Sequence, residues 1–189
     1  MGTIFEELIR KFNEANNEEA GEHYTPRDVV ELMADLILVP IKNQLKDATY
    51  SCYDGACGTG GMLTVAQDRL LELAEETGKE VSIHLFGQEL QPETYAICKA
   101  DMLLKGDGKQ AEHISYGSTL SMDGNATRQF DFMLSNPPYG KSWKVDAEKM
   151  GGKKDILDSR FNACLEDGTQ LAMIPRVSDG QLLFLLNNV

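Results

Sequence analysis

Residues 49–61 read Thr-Tyr-Ser-Cys-Tyr-Asp-Gly-Ala-Cys-Gly-Thr-Gly-Gly, and Met62, Leu63, Val65, Ala66, Leu70 and Leu71 follow at helical spacing. A β-prone run, a glycine loop and an amphipathic helix in that order form a cradle for a nucleotide or cofactor, because glycine lets backbone approach a ligand closely. The next β-prone run is 81–89, with Ile83, Leu85 and Phe86 apolar and Glu89 at its end. A carboxylate there is placed to accept both hydroxyls of a ribose, as in dinucleotide folds; the alternative is a surface glutamate. Residues 92–104 carry Tyr95, Ile97, Met102 and Leu103 on a helical pattern that stops at Gly106, and a short strand at 113–116 exits through Gly117 and Ser118. Strands separated by helices predict a parallel sheet with right-handed crossovers, a doubly wound α/β fold.

A fourth strand is written into residues 131–140, Asp-Phe-Met-Leu-Ser-Asn-Pro-Pro-Tyr-Gly. Phe132, Met133 and Leu134 suffice for one buried strand within 130–136, and it ends at Asn136 because Pro137 and Pro138 have no N–H to donate to a ladder. The stiff turn that follows holds an amide and an aromatic ring at the carboxyl end of a strand, where open α/β sheets bind ligands. The Asn136 side-chain oxygen and the Pro137 carbonyl suit an exocyclic amine, and the Tyr139 ring suits stacking on a base. The plain alternative is a proline-rich turn.

Toward the N-terminus, Ile4, Phe5, Leu8, Ile9 and Phe12 predict an amphipathic helix over 3–15, followed by a polar linker. Thr25 reads as the N-cap of a second helix, with Pro26 at its first position, Asp28 in its first turn and its end near Leu38. Val29, Val30, Leu32, Met33, Leu36 and Ile37 are its expected buried face. The Thr25 hydroxyl and the free N–H groups suit an anion such as a carboxylate, while His23 and Tyr24 otherwise pack at the start of the helix. Beyond Gly140 the charged stretch 141–158 predicts a mobile loop, 171–174 a short β segment and 178–188 a helix that stops on apolar residues, as a truncated domain would.

The 189 residues suit one domain. No run is long and apolar enough for a membrane span, and Glu6, Glu7 and Arg10 break any signal-peptide pattern, so a soluble, cytoplasmic protein is expected. Cys52, Cys57, Cys98 and Cys164 lack metal-site spacing, which predicts reduced thiols and no metal. The formal charge of −12 disfavours direct binding to a phosphate backbone. Lys141, Lys144, Lys149, Lys153 and Lys154 either form a local basic strip or lie on a solvated loop, and otherwise a partner supplies the contact.

Four motifs in one order, Gly-Glu-His-Tyr-Thr-Pro-Arg at 21–27, Asp-Gly-Ala-Cys-Gly-Thr-Gly-Gly at 54–61, Gly-Gln-Glu at 87–89 and Asn-Pro-Pro-Tyr at 136–139, resemble the N6-adenine DNA methyltransferases. Among these the chain is most similar to the modification subunit of type I restriction-modification systems. The resemblance implies an S-adenosylmethionine-dependent methyltransferase fold, with 1–20 as N-terminal helix and linker and 21–189 as a catalytic domain incomplete at its C-terminus. It further implies that Glu22, His23, Tyr24, Thr25, Pro26 and Arg27 contact the methionine end of S-adenosyl-L-methionine. Asp54, Gly58, Thr59, Gly60 and Gly61 would cradle the cofactor, Glu89 would hold its ribose, and Ser118 stands where relatives often place an aspartate near its adenine amine. Asn136, Pro137, Pro138 and Tyr139 would receive a flipped-out adenine. The implied partners are DNA, a specificity subunit, a restriction subunit and a second copy of the chain. About four parallel strands in spatial order 3-2-1-4, with one face or edge open, are expected.

Two other readings share some of these features. A nicotinamide-dependent oxidoreductase shares the glycine loop and the ribose carboxylate, but leaves Asn136–Tyr139 unexplained and lacks a G-x-G-x-x-G run. A non-catalytic module of methyltransferase fold that binds only a partner accords with the acidity and the missing strands.

Overall fold

The computed structural model describes residues 25–105 and 108–188. The helix expected over 3–15, the 21–24 part of the first motif and the Gly106 stop lie outside them. Helix α1 (Arg27–Leu38) leads through a 3-10 turn (Val39–Gln44) into strand β1 (Ala48–Asp54). Helix α2 (Gly61–Glu76), strand β2 (Val81–Glu89), helix α3 (Pro92–Lys105), the single turn α4 (Lys109–Glu112) and strand β3 (Ile114–Tyr116) follow. Strand β4 (Phe132–Met133) completes a four-stranded sheet of order β3-β2-β1-β4, parallel throughout. The order reverses at β1, so a crevice opens beyond its carboxyl end between loops that run to opposite sides.

The core follows from period-2 strands under period-3.6 helices. Cys52 of β1 and Ile83 and Leu85 of β2 are buried against Leu63, Ala66, Leu70 and Leu73 of α2 and Cys98 and Met102 of α3. Thr49, Ser82 and His84 point to the other face and stay exposed. Toward the carboxyl ends both faces close: Tyr53, Asp54, Phe86 and Gln88 are all buried, and the Phe130 ring stacks on Tyr53 at 4.6 Å. Of the open face or edge expected, the described residues show an exposed face over the amino-terminal halves of β1 and β2 and an exposed Tyr116 on the edge strand β3.

Four expectations need correction, three of them in α1 and β4. Helix α1 starts one residue later than Thr25 predicts: Pro26 occupies the cap position, with no side-chain cap bond. Its buried face is Val30, Ala34 and Leu38, whereas Val29, Leu32 and Leu36 are exposed. Val30 is buried as expected and Met33 and Ile37 pack half-buried against the core, but apolar residues lie on more of this helix than the buried stripe, so periodicity drew the face too wide and missed Ala34 and Leu38. Strand β4 ends at Met133, not Asn136, because its partner β1 turns away at Gly55; the last bond of the ladder runs from the Leu134 N–H to the Tyr53 carbonyl at 3.0 Å. Asp131 anchors the start of β4 by accepting the backbone N–H and hydroxyl of Ser51, both at 2.8 Å.

Residues 141–158 are not a structureless loop. Helix α5 (Lys144–Lys149) carries Ala147 into a second core with Leu120, Trp143, Ile156, Phe161, Leu183 and Phe184. The Trp143 indole N–H donates to the Arg176 carbonyl at 2.8 Å. A 3-10 turn (Ser159–Phe161), the antiparallel hairpin β5 (Asn162–Cys164) and β6 (Gln170–Ala172), and helix α6 (Gly180–Asn187) complete this layer.

Candidate functional site

Above the carboxyl ends of β1, β2 and β4 lies a cleft of about 440 Å³, within the range of small-molecule sites. Thr25, Arg27, Asp54, Gly58, Thr59, Gly61, Glu89, Ser118, Asn136 and Pro138 all line it. Pro26, Gly60, Pro137 and Tyr139 are not among the lining residues, and Tyr139 is 68% exposed. Glu22, His23 and Tyr24 lie outside the described residues.

The glycine loop is held from below. Gly60 adopts φ +84°, and a β-carbon there would stand 2.8 Å from the Met102 methyl and 2.9 Å from the Cys98 sulfur, so this glycine serves helix packing. Gly58 and Gly61 differ, because a β-carbon at either meets nothing within 4 Å. Both line the cleft, and their missing side chains leave room for a ligand. The Glu89 carboxylate braces the loop: Oε2 accepts the Gly58 N–H at 2.9 Å and Oε1 accepts the Gln91 N–H at 2.7 Å. Each oxygen keeps a lone pair, so the carboxylate retains the capacity to accept two hydroxyls.

Asp54 forms the floor, 1% exposed, with Oδ1 accepting the Ala56 N–H at 2.9 Å. Burial raises its pKa to about 7 and the Glu89 charge adds to the rise, against the Ala56 N–H and the Ser135 hydroxyl. A carboxyl poised there responds to a positive charge brought into the cleft. On the other side, Asn136 Nδ2 donates to Thr25 Oγ1 at 3.1 Å, which orients the amide with its oxygen unspent by that bond.

Several residues escaped the sequence reading. Gln88, 0% exposed, donates through Nε2 to the carbonyls of Gly117 and Met122 at 3.2 and 2.8 Å, while Oε1 accepts the Gly124 N–H at 3.0 Å. It pins the loop after β3, and the available signal was its place between Gly87 and Glu89 in the third motif, which was read without a role for the amide. The Thr119 hydroxyl donates to the Gly55 carbonyl and ties that loop to the end of β1. The Ser118 hydroxyl accepts the Leu120 N–H within its own turn at 3.2 Å. Leu120, Lys141, Trp143, Asp146 and Phe184 are among the residues of the opposite wall. Among the described residues no group of three or more His, Cys, Asp or Glu is assembled to hold a metal, and no helix is long and apolar enough to cross a membrane.

A family model for N-6 DNA methylases matches residues 1–185. The chain is 29% identical, over 173 residues, to the methylase subunit of the type I restriction enzyme MjaIX of Methanocaldococcus jannaschii, covering 86% of this chain and 28% of the relative. It superposes on the methyltransferase subunit of a type I restriction-modification system from Streptococcus thermophilus with a TM-score of 0.66 and 27% identity, covering 97% of this chain and 34% of that one. A Listeria monocytogenes protein assigned as a class I S-adenosylmethionine-dependent methyltransferase shares the fold at a TM-score of 0.57 and 18% identity, with 97% of this chain and 49% of that one covered. The chain thus spans about a third or less of the type I subunits it matches.

Proposed function

The chain belongs to the N-6 DNA methylase family, and from that premise we propose that it forms the catalytic core of a type I modification subunit that methylates N6 of adenine in DNA. The observation that carries this reading is the convergence of the glycine loop, Glu89 and the Thr25–Asn136 pair on one cleft. When bound, S-adenosylmethionine supplies an electrophilic methyl group on a sulfonium. The residues fit that group: Gly58 and Gly61 leave the space, Glu89 has acceptor capacity for ribose hydroxyls, and Asp54 answers a cation.

Asn136 Oδ1 and the Pro137 carbonyl accept hydrogen bonds from the adenine amine and enrich its nitrogen lone pair, while Tyr139 stacks on the base. Positioning and polarisation supply the catalysis, and no strong general base is required. The target base reaches this site only when flipped out of the duplex. Thr25 and Arg27, with Glu22 to Tyr24, receive the methionine end of the cofactor. Because the chain carries a charge of −12, DNA is contacted mainly through a complex with a specificity subunit, a restriction subunit and a second modification subunit, in the cytoplasm.

Titration of S-adenosylmethionine into the chain, with NAD as control, tests the cleft: selective binding of the methyl donor is expected, and binding of NAD instead would overturn the reading. Transfer of a labelled methyl group to N6 of adenine by the complex assembled with a specificity subunit tests the reaction.

A further inference from the structure

Arg160 lies outside the cleft, yet it holds the cleft's wall together. Its Nη1 donates to the Thr119 carbonyl at 2.9 Å, to Asp123 at 2.8 Å and to Asn187 Oδ1 at 2.7 Å. Its Nη2 donates to the Leu120 carbonyl at 3.1 Å and to Asp158 at 2.6 Å, and Nε also reaches Asp158. The guanidinium lies 4.9 Å from the centre of the Phe161 ring, with its side chain 17% exposed. One planar fork therefore joins the loop after β3, the turn before β5 and the end of α6. Two of these supply cleft residues: the loop gives Ser118, Thr119 and Leu120, and α6 gives Gly180 and Phe184. Through the Thr119 hydroxyl bonded to the Gly55 carbonyl, the same fork is linked to the end of β1.

We propose that Arg160 is a positioning residue of the cleft, one that sets the wall carrying Ser118 to Leu120 against the nucleoside half of the methyl donor. This rests on the reading of the cleft as a donor site. The fork geometry is what the role demands: a lysine keeps the charge but cannot serve carbonyls and carboxylates in several directions at once. Loss of the fork releases three anchored segments together and leaves the Glu89–Gly58 brace and the Thr25–Asn136 pair intact, since neither touches Arg160.

The test compares the chain with Arg160→Lys and Arg160→Met by isothermal titration of S-adenosylhomocysteine and by amide hydrogen exchange. Both variants should raise Kd about tenfold or more, as loss of a group that orients a binding residue typically does, with the number of sites per chain unchanged. Exchange should quicken at residues 117–124 and not at 58–61. A fall in the number of sites at unchanged Kd would mean that Arg160 only keeps the chain folded, and would overturn the proposal. So would unchanged exchange at 117–124. If the parent chain binds no S-adenosylhomocysteine while exchange responds as described, the donor-site reading falls and the proposal of a donor-facing wall falls with it. The hold of Arg160 on the loop would then stand by itself.

Discussion

Asn136 donates its side-chain N–H to the Thr25 hydroxyl across 111 residues of chain, and the bond joins the segment after β4 to the start of α1. An asparagine amide free to flip offers its oxygen in the working direction only part of the time. Here the hydroxyl takes the nitrogen and thereby aims the oxygen, so the group proposed to bind the amine and the segment proposed to hold the cofactor's methionine end share one bond.

Thr25→Val should accordingly slow methyl transfer by roughly two orders of magnitude at saturating donor, the cost of a small misplacement at a reacting centre, while Thr25→Ser retains most of the rate. Asn136→Ala should abolish transfer in the assembled complex and leave donor binding intact. Single-turnover rates with labelled donor check both. Full activity of Asn136→Ala would remove the proposed role.

Glu89 joins the glycine loop to the end of β2. Glu89→Ala should weaken donor binding by roughly 2–4 kcal/mol, the range for charged hydrogen bonds lost together. Glu89→Gln keeps one acceptor oxygen and should lose less. Calorimetric affinities equal to the parent's would show that the ribose is held elsewhere.

Gly60 and Gly61 are neighbours with opposite expected phenotypes. Gly60→Ala forces a left-handed backbone and a clash with Met102 and Cys98, and should cost about 1–3 kcal/mol of stability. Gly61→Ala opens α2 with a better helix former and should leave stability level or improved, yet reduce donor affinity by filling the cleft. Urea midpoints and titrations on the same two proteins separate the effects.

Asp54 should make stability fall as pH rises. Its pKa is raised to about 7 in the fold, so between pH 4 and 7 the native state holds a proton that the unfolded chain has released. The stabilisation is therefore complete below pH 4 and is lost as pH rises through 7. Asp54→Asn lacks this term, and its advantage over the parent should grow across that window to on the order of 2–4 kcal/mol at pH 8. A difference in urea midpoint that stays constant from pH 4 to 8 would contradict it.

Strands β1 to β3 were legible because each is a short β-prone run between glycine or polar breaks, and β2 spans the expected residues 81–89, whereas their order was implied by the resemblance of the motifs. Strand β4 was overextended because the sequence shows where prolines forbid a ladder but not where the partner strand leaves it. The cleft's near side was legible through motif residues clustered at strand ends. Its far side was not: Trp143, Ala147 and Ile156 have no local period, because they pack on Phe161 and Leu183 from elsewhere in the chain. Arg160 was invisible for the same reason, since its acceptors include backbone carbonyls 40 and 41 residues away.

The Arg160 fork also sets a timetable for synthesis. A chain emerging from the ribosome can form the glycine loop and the Glu89 brace soon after β2 is made, but Asn187, the last group the fork binds, comes nearly a hundred residues after Glu89. A nascent chain therefore holds only part of the cleft wall until α6, which carries Gly180 and Phe184, has been made to complete it.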